Sequence, residues 1–478
     1  MRIDVAAGIF LVALIVLSRV AAFPGSIWEQ DEAYLAMGVE HFDPELNHPH
    51  PPWFPLWLLL GKIIASFGVE AATSLQILSA FFSSWMIFPL VALWSQLLGK
   101  RLAVSAALLF LFLPGSWMLA GSAFTGTAAT ALLLSALTMW LGHEQKVSWV
   151  RSLSGGILGA AAILIRPHFF PVLAIVLLIL LGRKMIQALP ALAGLCGGVF
   201  VGFAGLSVAA GGLQPLVSAL KTHSEYHFSM LPEASFGLAT FGLSRYLGNQ
   251  WLAVFWILLT LTGILASLRS ETGPRASSLV LSAGLAAVVI EVLTVANPAH
   301  ARYFVPIAAL SVGFVLRTLS LLGTRKATVL AATAMLASGL FIIPELSTYR
   351  SRTSPPLAAL RYAAYSARTE NCILVVDRTL VSFLDYVKAE CSDFPPVVFD
   401  FQILDGSAPP PPPEHSIAVY DEKNHEFIVT AHETTQFRCL SPIIRRLGQG
   451  RFLDLHVATK PVFKGWKEQS RPYIIVGP

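Results

Sequence analysis

Apolar runs of spanning or near-spanning length occupy positions 3–23, 74–98, 102–120, 124–142, 151–166, 167–182, 188–210, 250–268, 277–297, 303–322 and 327–344 of this chain. Inside a bilayer such stretches can satisfy their backbone groups only as helices, so the pattern admits one fold class, an all-α polytopic membrane protein. Charge agrees with that reading. Asp, Glu, Lys and Arg make up 13% of the 478 residues, against roughly 25% in ordinary soluble domains. The formal net charge of +5 requires no nucleic-acid partner, because lysines and arginines between spans are what membrane topology demands.

A further run, 53–67, is short, proline-fronted and aromatic, and the basic residues decide whether it crosses. If it does not, Lys100-Arg101, Lys146/Arg151, Arg183-Lys184, Arg269/Arg275 and Arg325-Lys326 all share a side with Arg2. If it does, all of them land opposite Arg2. The positive-inside rule therefore favours about eleven transmembrane helices, a cytoplasmic N-terminus, and 53–67 lying in or dipping into the outer interface. Met1 to Ala22 has the outline of a signal peptide, but the run from Ile3 to Phe23 reaches spanning length and reads as a retained anchor. The extracytoplasmic segments are then the loop 24–73, residues 121–124, the hairpin tip Arg166-Pro167-His168, residues 211–249, Asn297 to Arg302, and everything after Pro344.

That tail changes character abruptly. Cys372 to Val376, Pro396 to Phe401, Ser416 to Tyr420 and Tyr473 to Val476 are strand-like, and Thr379 to Glu390 is helix-like. The expectation is a membrane domain over 1–345 and a soluble extracytoplasmic α/β domain over 346–478, with Pro409 to Pro413 as an extended polyproline segment. No Gly-rich phosphate loop occurs in it. Cys196 lies in an apolar run, whereas Cys372, Cys391 and Cys439 lie in the tail. None has metal-site spacing, and a Cys372–Cys391 disulfide is one open pairing.

Three constellations could carry chemistry. The first loop holds Trp28-Glu29-Gln30-Asp31-Glu32-Ala33-Tyr34, and an amphipathic pattern from Ala33 to Val39 predicts a short helix with Asp31 at its N-terminal end. The helix dipole there favours an ionised carboxylate, which could serve as general base toward a hydroxyl or amine. A loop charge or N-cap is the competing reading. The same loop continues as His48-Pro49-His50-Pro51-Pro52-Trp53, a rigid lip in which His50 could meet a phosphate or a sugar hydroxyl. Trp53 and Trp57 suit a headgroup-level belt or a sugar-stacking face. His48 and His50 could also suggest a metal, but two ligands without a third assign none, and a divalent cation is left open as cofactor.

The third constellation is Asn297-Pro298-Ala299-His300-Ala301-Arg302-Tyr303-Phe304, at the outer start of a late span. Arg302 suits a lipid phosphate or diphosphate, or else snorkels to water. Glu291, about two turns deeper in the preceding span, is either functional or paired with an arginine. Arg166-Pro167-His168 forms a comparable outer site. Lys221 to His227, followed by Arg245, reads as a solvated loop rich in polar groups.

An outer-loop Asp-Glu-x-Tyr after a first span, a His-Pro-Pro-aromatic segment leading a short interfacial helix, and a late Arg-Tyr-Phe together resemble the GT-C glycosyltransferases. The likeness is to the protein O-mannosyltransferase and lipid A aminoarabinose transferase branch, and it covers about the first 345 residues. The resemblance implies inverting transfer of a sugar from a polyprenyl-phosphate donor to a glycan, lipid or protein acceptor, on the extracytoplasmic face of what is expected to be a bacterial inner membrane. It implies Asp31 as base with Glu32 beside it, Tyr34 as their neighbour, His50 before Pro-Pro, and Arg302 on the carrier phosphate. His48, Trp53, Arg166, His300 and Tyr303 complete the expected substrate-binding set. One departure stands out: many relatives carry a second acidic residue at the outer start of the fourth span, where Ser122 to Thr127 has none and Thr125 or Thr127 takes its place. Other readings of the chain are transfer of a whole oligosaccharide, a flippase or transporter of lipid-linked sugars, and a non-catalytic membrane scaffold. Transporters usually show repeats and mid-membrane broken helices, whereas here the halves do not match and the polar groups collect at the outer surface.

Overall fold

The computed structural model describes residues 5–24, 26–44, 46, 48–141, 148–230, 236–269, 275–296, 298–351, 354, 357, 360–361, 364, 373–377, 381–390, 397–400, 416–422 and 426–432. The chain divides into two compact units, Met1–Phe23 with Gly38–Ser347, and Pro24–Met37 with Thr348–Pro478. Arg2, Lys146, Asn297, the three tail cysteines, Pro409 to Pro413 and Tyr473 to Val476 lie outside the described residues.

Helices run in the order α1 (Val5–Ala21), α2 (Gln30–Glu40), α3 (Pro55–Ala65), α4 (Ala71–Trp85), α5 (Ile87–Leu98), α6 (Lys100–Leu111), α7 (Pro114–Leu119) and α8 (Thr125–Leu141). They continue as α9 (Trp149–Ile165), α10 (Phe170–Ala209), α11 (Leu213–Met230), α12 (Phe236–Leu247), α13 (Gln250–Arg269), α14 (Arg275–Thr294), α15 (Val305–Ser320) and α16 (Thr324–Ser351). Among the described residues six segments are long and apolar enough to cross a membrane, Ala71–Leu98, Ala188–Ala209, Gln250–Arg269, Ser277–Thr294, Ala301–Ser320 and Thr324–Pro344. Five shorter apolar helices accompany them: Ile9–Ala21, Pro55–Ala65, Thr125–Leu141, Trp149–Ile165 and Pro167–Gly182.

Prolines explain where these helices depart from the apolar runs. The run 102–120 is not one helix: α6 ends at Leu111, and Pro114 opens the six-residue α7. Proline has no N–H to continue a helix and pushes the preceding residue out of helical geometry, as the extended Leu113 shows. At 11 residues, α3 rises about 16 Å, roughly half of a hydrocarbon core near 30 Å.

Helix α10 is continuous over 40 residues, yet it is not straight. Leu173 and Leu195 both lie against Gly159, whereas a straight helix would hold them about 33 Å apart. The segment therefore doubles back near Arg183-Lys184, and both of its limbs pack on α9. Its second limb runs parallel to α9, because Ala191, Leu195, Gly198 and Gly202 meet Gly156, Gly159, Ala160 and Leu164 in that order.

Close helix contacts are made by glycine. Gly263 of α13 sits so near the Phe314 carbonyl of α15 that no Cβ fits, and Gly313 leaves room for the Trp94 ring. Such small-residue seams let membrane helices approach backbone to backbone. Gly263→Val is expected to destabilise the chain by about 2–3 kcal/mol, because backbone cannot rotate out of the way. A lowered apparent melting temperature in detergent checks this, and an unchanged one would show that the two helices can part without cost.

In the other unit, Trp28 stands edge-on to Tyr349 at 4.2 Å, and the Ser354 N–H donates to Ser26 Oγ at 2.9 Å. Strands β1 (Ile373–Asp377), β2 (Val397–Asp400), β3 (Ser416–Glu422) and β4 (Glu426–His432) form one sheet in the order β2-β1-β3-β4. β1 is parallel to both its neighbours, with Val375 opposite Val398 and Ala418, while β3 and β4 pair antiparallel with Val419 opposite Val429. Parallel neighbours need a crossover, and α17 (Val381–Glu390) lies in the chain between β1 and β2.

Candidate functional site

The acidic pair at the start of α2 separates into two roles. The Glu32 carboxylate accepts from the backbone N–H of Trp28 at 2.7 Å and of Glu29 at 3.1 Å. This is the reach-back half of a capping box, with Glu29 at the N-cap position, so Glu32 closes orphan donors of the first turn. Glu32 is buried, whereas Asp31 is half-buried in the same turn, as is Tyr34 one turn on.

The proline-rich lip folds back on itself. Asp43 and His48 exchange backbone hydrogen bonds, N–H to O at 3.0 and 2.9 Å, which closes the loop on itself. Trp53 and Phe54 both adopt positive φ, 64° and 49°. Trp53 is buried in a cluster with Leu206 and Leu216, and Trp57, also buried, donates its indole N–H to the Ala123 carbonyl at 3.0 Å. Both tryptophans are therefore packing residues here. His50 stacks on His223 with ring centroids 5.4 Å apart and meets Phe54 edge-on. Lys221 to His227, expected as loop, lies within α11, where Leu213, Leu216, Val217 and Leu220 supply a helical apolar stripe. Among the described residues no three His, Cys, Asp or Glu side chains gather as metal ligands.

The remaining expected residues converge at one end of the helical unit. α9 ends at Arg166, α8 begins at Thr125, α14 ends just beyond Glu291, and a 3-10 turn Ala301–Phe304 opens α15. Arg151, Arg275 and Arg317 occupy the opposite ends of α9, α14 and α15. Arg166 and Arg302 are only 7% and 8% exposed. Arg166 Cζ stands 4.8 Å from the centre of the Tyr303 ring, and Arg302 Cζ is 5.4 Å from the same ring and 4.7 Å from Phe124. His300, buried, meets Tyr303 edge-on. Aromatic faces attract guanidinium groups, so Tyr303 offsets part of the repulsion between the two like charges.

Gly126 is what makes room for this cluster. A Cβ there would come within 3.2 Å of Arg166 Nη1 and 3.5 Å of the Arg302 carbonyl. Thr127, one candidate for the missing second carboxylate, instead donates its hydroxyl to the Leu119 carbonyl at 3.3 Å. Glu291 is 7% exposed and lies 3.3 Å from His168 Nδ1, within electrostatic reach of Arg166. Arg19 is buried with one N–H on the Leu111 carbonyl at 2.6 Å, closing the end of α6. Tyr246 is buried with its hydroxyl on Ser116. Burial pushes the Tyr246 phenol well above its ordinary range, so it stays neutral and serves as a packing hydrogen bonder.

No protein-family model matches the sequence, and no curated protein matches it. Solved structures do. ArnT from Cupriavidus metallidurans bound to undecaprenyl phosphate superposes with a TM-score of 0.55 at 13% identity, covering 80% of this chain and 85% of that one. Its apo state gives 0.50 at 12% identity, over 83% and 86%. The fold is GT-C-like. The oligosaccharyltransferase AglB from Archaeoglobus fulgidus, in complex with an inhibitory peptide and a dolichol-phosphate, gives 0.49 at 13% identity, over 95% and 77%. With its apolar helices and this fold, the chain is a membrane protein.

Proposed function

We propose that this chain transfers a sugar from a polyprenyl-phosphate carrier to an acceptor at the extracytoplasmic membrane face. The observation that carries the reading is the convergence of Arg166 and Arg302 on Tyr303. Two buried guanidinium groups at a helix-end cluster suit a phosphate, which each can grip through parallel N–H donors. They lie at the opposite helix ends from the basic clusters, which supports a site on the outer side, a cytoplasmic N-terminus and about eleven spans. A carrier too apolar to leave the bilayer must be met at such a surface. The GT-C-like fold agrees, and in ArnT that fold holds undecaprenyl phosphate.

On this reading residues 1–345 are the transferase domain and the segment from 346 is extracytoplasmic. Asp31 is the base. It takes the proton of the acceptor hydroxyl or amine as that atom bonds to sugar C1 from the face opposite the leaving group. The bond from C1 to the phosphate oxygen breaks with its electron pair going to the phosphate, and the configuration inverts. Arg166 and Arg302 stabilise the charge that develops there.

The test uses the full chain in phosphatidylcholine nanodiscs with undecaprenyl-phosphate-linked hexoses and pentoses and cell-envelope acceptors. Time-dependent release of undecaprenyl phosphate is expected with at least one donor. Failure to release it from any donor, together with failure to bind free undecaprenyl phosphate, would overturn the reading.

A further inference from the structure

Helix α11 presents three distinct faces. At about 100° per residue, Leu216, Ala219 and His223 share one of them. Leu216 is buried against Trp53, Ala219 packs on the same cluster, and His223 stacks on His50 of the lip. Gln214, Ser218, Lys221, Thr222 and Glu225 form a second face, and all five are exposed. Leu213, Val217 and Leu220 form the third, between those two, and they are exposed as well. A stripe of this kind, set between a packed side and a polar side, calls for an apolar surrounding of its own.

The level of α11 is fixed by α10. The second limb of α10 holds the spanning segment Ala188–Ala209, and its Gly202 meets Leu164, two residues before Arg166. Leu206 therefore stands about 6 Å, one helical turn, beyond Leu164. That is close to the level of Arg166 and of Tyr303 in the opening turn of the span Ala301–Ser320. Leu206 and Leu216 share the Trp53 cluster, whereas a helix running straight on would hold them about 15 Å apart. Gly211 and Gly212, with φ of 73° and 139°, turn the chain between them. α11 is thereby folded over the end of a span and does not project away from it.

The geometry points to α11 as a helix lying in the plane of the bilayer, with Leu213, Val217 and Leu220 among the acyl chains of one leaflet. Its polar face then meets water and headgroups, the division expected of an interfacial helix. The stripe extends the exposed apolar surface of α10, where Phe200, Val201 and Val208 project from the spanning segment itself. Three aliphatic side chains are also a poor fit to a protein partner, because a stable interface takes about 800 Å² from each side. The inner face of the same helix carries the lip, through Trp53 on Leu216 and His50 on His223. The lip is thus fastened to an element that rests on the leaflet. This inference needs a membrane and none of the transfer chemistry.

The test places p-benzoylphenylalanine, which crosslinks to adjacent C–H groups on illumination, at one position per variant of the full chain in phosphatidylcholine nanodiscs. Val217, Leu220, Ser218, Thr222 and, as the spanning reference, Phe200 are each replaced in turn. All five side chains are exposed, so the substitutions leave the packed face of α11 intact. Val217 and Leu220 are expected to give phosphatidylcholine adducts in a yield similar to Phe200 and severalfold above Ser218 and Thr222, each adduct being read by its mass. Equal yields on the two faces, or lipid adducts at Phe200 without any at Val217, would overturn the embedded stripe. Adducts of twice the chain mass at Val217 would make the stripe a contact between copies and overturn it as well. None of these yields depends on carrier binding, so the phosphate reading stands or falls separately.

Discussion

Asp31→Asn is expected to slow sugar transfer by about 10²–10⁴-fold, the range over which a positioned general base contributes, while leaving undecaprenyl phosphate affinity unchanged. Asparagine keeps the shape of the side chain, so the substitution removes little but charge and proton affinity. Its cost to stability is small, since an acidic group in a first helical turn is worth about 0.3–1 kcal/mol of dipole interaction. Glu32 gives the contrast. Its carboxylate is engaged with the Trp28 and Glu29 N–H groups, so Glu32→Gln should retain most of the activity by keeping an acceptor in place. The measurement is a steady-state rate with saturating donor, set beside carrier binding by the same preparation. Full activity in Asp31→Asn would remove Asp31 from the chemistry and leave the phosphate cluster to be explained without a base on α2.

The sequence made parts of this legible for identifiable reasons. Arg302 and Tyr303 stood out because they are neighbours at the start of an apolar run, and Arg166 because a lone arginine interrupts two others. What pattern reading could not supply was their convergence. Tyr303 lies between Arg166 and Arg302 only because α9 and α15 bring distant positions to one helix end, aided by the missing side chain of Gly126. The pairing of Glu291 with His168 is of the same kind. Periodicity says that each residue ends a span, never which other span end it meets. The tryptophans show the opposite case. Trp53 and Trp57 front a short apolar helix, a placement shared by interfacial anchors and core residues, and burial decided for the core. The α11 segment was legible after all, through Leu213, Leu216, Val217 and Leu220, but its polar second half, Lys221 to His227, drew the reading toward loop.

The larger binding effect is expected from removing both arginines. Each charge-assisted contact to phosphate contributes about 1.5–3 kcal/mol, so Arg166→Ala with Arg302→Ala should weaken undecaprenyl phosphate binding by about 3–5 kcal/mol, or roughly 10²–10⁴-fold. The two losses should not add. Both guanidinium groups stand over the Tyr303 ring, and two like charges in one buried cluster repel, so removing one relieves the other. Each single variant is therefore expected to lose less than half of the combined free energy. Lysine in place of Arg302 tests the geometry apart from the charge, because an ammonium keeps the charge but has neither the planar face that stacks on Phe124 and Tyr303 nor the fork that grips two oxygens. Arg302→Lys should consequently fall between wild type and alanine. Carrier affinity in zwitterionic nanodiscs, followed for the two singles, the double and the lysine variant, separates these cases. Wild-type affinity in the double variant would mean that the cluster is a packing device at the helix ends. Strictly additive losses would mean that the two arginines hold different ligand groups and that Tyr303 couples nothing.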